Sequence, residues 1–242
     1  WATDDKGWKF VYFDGVATNT GVFAIGQDLS DLVVNDLTVN GNLTVDGGTI
    51  KLDGNYPTGT GNVALGDTAL DSVQAGGNCN VAIGTNALTA LTTSDDNTAV
   101  GHNALCTNTT GCRNTAIGHN SMDVNTEGDF NTALGRSSLS ANTTADNNTA
   151  IGYHSMLLNT TGVSNSAVGK QSLNSNTTGV SNTAVGLCSL YSNTTASGNV
   201  AVGAFSLLTN TEGLSNVAVG TCQPSGYGAA LELNTTGDCN VA

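Results

Sequence analysis

The run Asn97-Thr-Ala-Val-Gly101-His102-Asn-Ala-Leu-Cys106-Thr-Asn108-Thr-Thr-Gly-Cys112-Arg113 is followed at once by Asn114-Thr-Ala-Ile-Gly118 and, after the same interval, by Asn131-Thr-Ala-Leu-Gly135. The pentad Asn-x-Ala-(Val/Ile/Leu)-Gly begins at Asn62, Asn80, Asn97, Asn114, Asn131, Asn148, Asn165, Asn182, Asn199 and Asn216, first after a step of 18 residues and then every 17. An eleventh copy opens at Asn240 after a step of 24. Repetition this strict sets the architecture before any local propensity is weighed. A 17-residue unit is too short for a leucine-rich repeat or a helical hairpin. It fits one turn of a parallel β-solenoid.

The remainder of each unit is patterned as well. Three residues after the pentad glycine stands Ala or Ser, followed by Leu or Met, as at Ala104-Leu105 and Ser121-Met122. Three further on comes Asn-Thr-(Thr/Glu)-(Gly/Ala), as at Asn108 to Gly111. The unit therefore reads as a short strand, a glycine corner, a second short strand and an Asn-Thr-Thr-Gly turn, Asn and Gly both tolerating left-handed backbone angles. Glycine density and the lack of a 3.6-residue period exclude helix. Stacked turns lie about 4.8 Å apart, so ten make a rod of about 50 Å. Stacking also places like on like. The asparagine that opens each pentad and the one that opens each turn are expected to form two ladders of side-chain amides along the axis.

Adjacent strand residues point to opposite faces. In Ala99-Val100, Ala116-Ile117 and Ala133-Leu134 both neighbours are apolar, so both faces of the strand are expected to be covered, one by the solenoid interior and the other by a second surface. The same reasoning applies to Ala/Ser with Leu/Met, unless a bulge or corner turns both side chains inward. Two large apolar side chains per unit make a thin core. The expected native state is a homo-oligomer, three-fold in the first instance.

Composition agrees with a fibrous β protein. The 242 residues include 31 glycines and 2 prolines, with 10% charged and 5% aromatic residues. That is far below the roughly 25% charge of an ordinary globular domain, and disordered chains are rich in charge and proline. Six basic against 19 acidic residues leave a net charge of −13, which disfavours nucleic acid and anionic membranes as partners. No apolar run approaches the roughly 18 residues of a membrane span.

Three regions are read from the rhythm. Residues 1–30, with Trp8-Lys-Phe-Val-Tyr-Phe13, are taken as a β segment of an incomplete module. Residues 31–61 repeat Leu37-Thr-Val-Asn-Gly, Leu43-Thr-Val-Asp-Gly and Thr49-Ile-Lys-Leu-Asp-Gly, a shaft of very short strands with tight turns that ends in a linker. Residues 62–242 are the solenoid, expected to continue beyond Ala242.

Candidate chemistry is sparse. His102 and His119 share a repeat position with Cys106 nearby, a conceivable ligand pair for a metal, but other units carry Asp67, Arg136, Tyr153 or Lys170 there. Asp123, Glu127 and Asp129 cluster without the spacing of a calcium loop. No carboxylate pair suits glycosidic chemistry, and no Lys-Ser/Thr follows the glycines. Neither a catalytic residue, a metal site nor a cofactor is assigned. The six cysteines show no CxxC pair and are expected to be free thiols, Cys106 with Cys112 being the pairing to check. Seven extra residues around Gly220-Thr-Cys-Gln-Pro-Ser-Gly-Tyr-Gly form a loop whose Gln223 and Tyr227 are candidate receptor contacts.

The run Asp36-Leu-Thr-Val-Asn-Gly-Asn-Leu-Thr-Val-Asp-Gly-Gly-Thr-Ile, followed by the Asn-Thr-Ala-Val-Gly and Asn-Thr-Thr-Gly repeats, resembles tail-fibre and related virion proteins of tailed bacteriophages, particularly those of cyanobacteria. The likeness spans about residues 31–242. The pentads are also similar to the head repeats of trimeric autotransporter adhesins, whose units are usually shorter. The resemblance implies a trimeric virion fibre, shaft or adhesin, made in the host cytoplasm. Its expected partners are its own copies, other tail or baseplate proteins and a host-surface glycan. A bacterial trimeric surface adhesin and a polysaccharide depolymerase are the rival readings.

Overall fold

The computed structural model describes residues 2–3, 9–10, 59–221 and 228–242. The chain falls into two units, Trp1–Thr49 and Ile50–Ala242. In the first, β1 (Ala2–Thr3) and β2 (Lys9–Phe10) pair antiparallel, with Ala2 opposite Phe10. The rest of the expected N-terminal segment, and nearly all of the short-repeat shaft, lie outside the described residues.

In the second unit each pentad supplies one three-residue strand. These are β3 (Val63–Leu65), β4 (Val81–Ile83), β5 (Thr98–Val100), β6 (Thr115–Ile117), β7 (Thr132–Leu134), β8 (Thr149–Ile151), β9 (Ser166–Val168), β10 (Thr183–Val185), β11 (Val200–Val202) and β12 (Val217–Val219). They stack in sequence order into one ten-stranded sheet, every neighbouring pair parallel. Register places each residue over its counterpart one repeat away, Ala99 over Ala116 and Val100 over Ile117. The described residues contain no helix. The second unit is a parallel β-solenoid of about 17-residue coils.

With the pentad asparagine as the first position of a coil, alternation along the strand separates two columns. The third-position alanines, from Ala82 to Ala218, are fully buried. The fourth-position residues face outward. Backbone hydrogen bonds run both ways along the axis: the Thr98 N–H donates to Asn114 O at 2.8 Å on the next coil, and the Gly101 N–H to Ile83 O at 2.8 Å on the preceding one.

The fifth-position glycine turns the corner under two constraints. Gly118 has φ +139°, and a Cβ built there would lie 2.5 Å from Gly135 O on the next coil. Left-handed backbone and coil-to-coil contact each require glycine.

The expected second strand is absent. The Ala/Ser-Leu/Met segment is a turn in which the seventh and ninth residues adopt left-handed angles. The ninth-position residues, from Leu70 to Leu231, have φ between 47° and 56°. A left-handed residue breaks the alternation of a strand, so the eighth and ninth side chains both turn inward. Ser121 and Met122 are both fully buried, as are Ser172 and Leu173. The interior is thus an alanine column from the sheet facing a Leu/Met column from the turn. For this segment no second surface is needed.

Both asparagine ladders are present, and they run inside the coil. The twelfth-position asparagines, Asn108 to Asn210, are fully buried. Asn125 Nδ2 donates to Asn108 Oδ1 at 2.7 Å and to Gly128 O at 3.1 Å, and Asn142 Nδ2 continues to Asn125 Oδ1 at 2.7 Å. In the first-position ladder, the Asn114 N–H donates to Asn97 Oδ1 at 2.9 Å while Asn114 Nδ2 reaches Gly128 O at 2.7 Å. Each buried amide thus satisfies backbone that the turn leaves without ladder partners. The first two coils differ: Val73 and Leu91 hold the twelfth position, also buried.

Coil geometry survives the 24-residue step. Beyond 222–227, which lie outside the described residues, Ala230 O accepts the Leu207 N–H at 3.1 Å and Asn234 Nδ2 donates to Asn210 Oδ1 at 2.9 Å.

Candidate functional site

Because every coil repeats one backbone path, a functional surface here is a column of side chains at one position rather than a pocket. Two columns stand out. The fourth position lines the outer sheet face with Leu65, Ile83, Val100, Ile117, Leu134, Ile151, Val168, Val185, Val202 and Val219. Val100 and Leu134 are half-buried. The other eight are between 37 and 60% exposed. A continuous apolar stripe of this length on a narrow rod is a candidate interaction surface. Of the repeat residues singled out, Asn97, Asn114 and Asn131 support the core, Ala99, Ala116 and Ala133 fill it, Gly101, Gly118 and Gly135 turn it, and Val100, Ile117 and Leu134 belong to the stripe.

The sixth position, one residue past the glycine corner, carries Asp67, Thr85, His102, His119, Arg136, Tyr153, Lys170 and Leu187, all exposed. The His102 and His119 rings stack with centroids 5.1 Å apart and planes 14° from parallel. The Arg136 guanidinium carbon lies 5.8 Å from the Tyr153 ring centroid. Tyr153 also stacks on His154, the next residue, at 3.8 Å; left-handed φ at His154 brings its side chain beside its neighbour's. Partial burial, then the positive charges of Arg136 and Lys170, hold the His154 imidazole below its usual range.

No family model, curated protein or solved structure matches the chain. The site is therefore read from its own geometry.

Among the described residues no three His, Cys, Asp or Glu side chains come together as a metal site. His102 and His119 present ring faces to one another. Cys106 instead donates to Asp123 O at 3.2 Å. Burial and the nearby Asp123 carboxylate push the Cys106 thiol up. Asp123, Glu127 and Asp129 separate onto three columns. The Asp123 carboxylate takes the Ser140 hydroxyl, and Asp129 Oδ1 accepts the Cys112 N–H at 2.6 Å. Cys79, Cys106, Cys112, Cys188 and Cys239 are free, so Cys106 and Cys112 do not pair. Gln223 and Tyr227 lie outside the described residues. Among those residues no helix is long and apolar enough to cross a membrane.

The sixth column was legible in the sequence as a variable surface position shared by Asp67, His102, His119, Arg136, Tyr153 and Lys170. The stacking of His102 on His119 and of Tyr153 on His154 was not, because it depends on ring orientation and on the left-handed backbone at His154.

Proposed function

We propose that this chain is a structural segment of a trimeric fibre on a virion, a tail fibre or related appendage that serves as shaft or adhesin in host attachment. The observation that carries the reading is the fourth-position stripe. Ten stacked strands leave one apolar side chain per rung on the outer sheet face, and a second copy offers the same side chains at the same rung spacing. Apolar area removed from water stabilises by about 25 cal/mol per Å², and a three-fold arrangement hides all three stripes around one axis.

Binding rather than catalysis suits the coils, because Asp123, Asp129 and Asp238 accept hydrogen bonds that hold neighbouring coils together. Beyond the fold, the resemblance of the repeats to phage fibre proteins supports the virion setting.

Light scattering of the purified chain at micromolar concentration tests the oligomer. A mass three times that of the 24.3 kDa chain is the expected result, and a folded monomer overturns the reading. Immunogold labelling of particles from the source virus checks the location, with label expected on tail appendages.

A further inference from the structure

We infer that the sixth-position column from His102 to Lys170 is a binding strip for an anionic, carboxylate-bearing polysaccharide lying along the rod. The inference rests on the attachment reading and adds the place and chemistry of contact.

The fold imposes nothing on this column. Thr85, Leu187 and Ala204 hold the same position in other coils, so stacking does not require His, His, Arg, Tyr and Lys on five successive rungs. At about 4.8 Å per rung the strip runs about 19 Å along the stacking direction. That shape fits an extended polymer.

Charge singles out the strip. Among the described residues of the coils, the lysines and arginines are Arg113, Arg136 and Lys170. Arg113 sits in the seventeenth column, over Phe130 and 3.7 Å from Asp96. Arg136 and Lys170 stand in the sixth, two rungs apart, about 9.6 Å. No carboxylate occupies the sixth or seventh column from His102 to Gln171. The charges bearing on His154 are both positive. On a chain of net charge −13 a polyanion is repelled elsewhere and accepted here.

The remaining groups suit sugar. The faces of His102 and His119 lie against each other, as do those of Tyr153 and His154, so the rings meet sugar hydroxyls with their imidazole nitrogens and the Tyr153 hydroxyl as hydrogen-bonding groups. The guanidinium of Arg136 presents the planar fork that pairs with a carboxylate. Asn103, Asn120, Ser137 and Gln171 in the adjoining column supply hydroxyl-matched donors and acceptors.

The test is retention of the intact chain on immobilised polygalacturonate, with neutral dextran as control. The wild type is expected to bind polygalacturonate, more weakly as salt rises, and to ignore dextran. Arg136→Gln with Lys170→Gln should lower affinity about tenfold, while Arg113→Gln on the other edge leaves it unchanged. These side chains are exposed, so circular dichroism and oligomeric mass should match the wild type. Absence of polygalacturonate binding, equal binding by the double variant or equal retention on dextran would each overturn the inference. A trimer that ignores polygalacturonate sinks the strip and leaves the fibre standing. A folded monomer that binds it does the reverse.

Discussion

A buried asparagine is costly unless each polar atom of its amide is satisfied, and the twelfth-position ladder shows what satisfaction requires. Asn159 Nδ2 donates to Asn142 Oδ1 and Gly162 O, while Asn159 Oδ1 accepts from Asn176 Nδ2 at 2.7 Å. Asn159→Leu would strand groups on both neighbouring coils, and an expected loss of about 2–4 kcal/mol is read from chemical denaturation. At the ladder's end Leu91 holds the position on the preceding coil, where Asn108 Nδ2 donates instead to Ser94 Oγ at 3.4 Å, an oxygen that also accepts from Asn97 Nδ2. Asn108→Leu therefore strands fewer groups and should cost about 1 kcal/mol. Equal effects at the two sites would show that the amides act singly. Left-handed angles give a second prediction. Thr68 is β-branched at φ 57°, a strained combination, whereas Asn86 and Asn103 hold the same position on the next coils with Asn86 Nδ2 donating to Asn103 Oδ1 at 3.0 Å. Thr68→Asn relieves the strain and extends that chain of amides, raising stability by roughly 0.5–1 kcal/mol and with it the melting temperature. Thiol chemistry gives a third. A raised thiol pKa means less thiolate at neutral pH and slower alkylation; the half-buried Cys106 should therefore react with iodoacetamide well after the exposed Cys79 and Cys239, as peptide mapping over time would show.

At the level of the element, each coil is one short strand and a long excursion that returns the chain to the next rung. The strand was legible from Asn-Thr-Ala-Val-Gly because alternation and β-branching speak with one voice there. The excursion was not. Leu105 and Met122 disfavour left-handed backbone, so nothing in their identity announces φ near 50°, and a pair such as Ser121-Met122 reads as a strand until coil-to-coil bonding overrides local preference. That bonding is specific: the Leu105 N–H donates to Ser121 O on the next coil at 3.1 Å, and the Asn103 N–H to Thr85 O on the preceding coil at 3.0 Å. The ladders were legible as ladders, but their position inside the coil was not, because amide spacing along a sequence does not say which way a turn folds. The glycine corner allows less latitude still. Gly118→Ala places a methyl within 2.5 Å of Gly135 O at a φ of +139°, closed to alanine by sterics. Coils on either side must separate, and a loss of about 3 kcal/mol or more is expected in denaturant unfolding.

For the whole molecule, the open question is what covers the outer sheet face, and magnitudes bear on it. The fourth-position side chains are already more than half covered at most rungs, so complete burial adds about 0.5–1 kcal/mol each, or about 5–10 kcal/mol over ten rungs. Association costs about 4–15 kcal/mol in lost freedom. The two are of one size, so assembly depends on the stripe being continuous, and a few interruptions suffice to abolish it. Ile117→Lys with Ile151→Lys places two charges on β6 and β8 at the middle of the face. On the isolated chain both ammonium groups remain in water, since these positions are 39 and 38% exposed, and the coil beneath is untouched because the inward residues are Ala116 and Ala150. In an oligomer each charge must leave water without a partner, a penalty of several kcal/mol per ion. The expected outcome is a chain with wild-type circular dichroism whose mass by light scattering drops to that of the monomer. A double variant that keeps the wild-type oligomeric mass would show that the copies meet elsewhere and that the apolar stripe faces another partner or solvent.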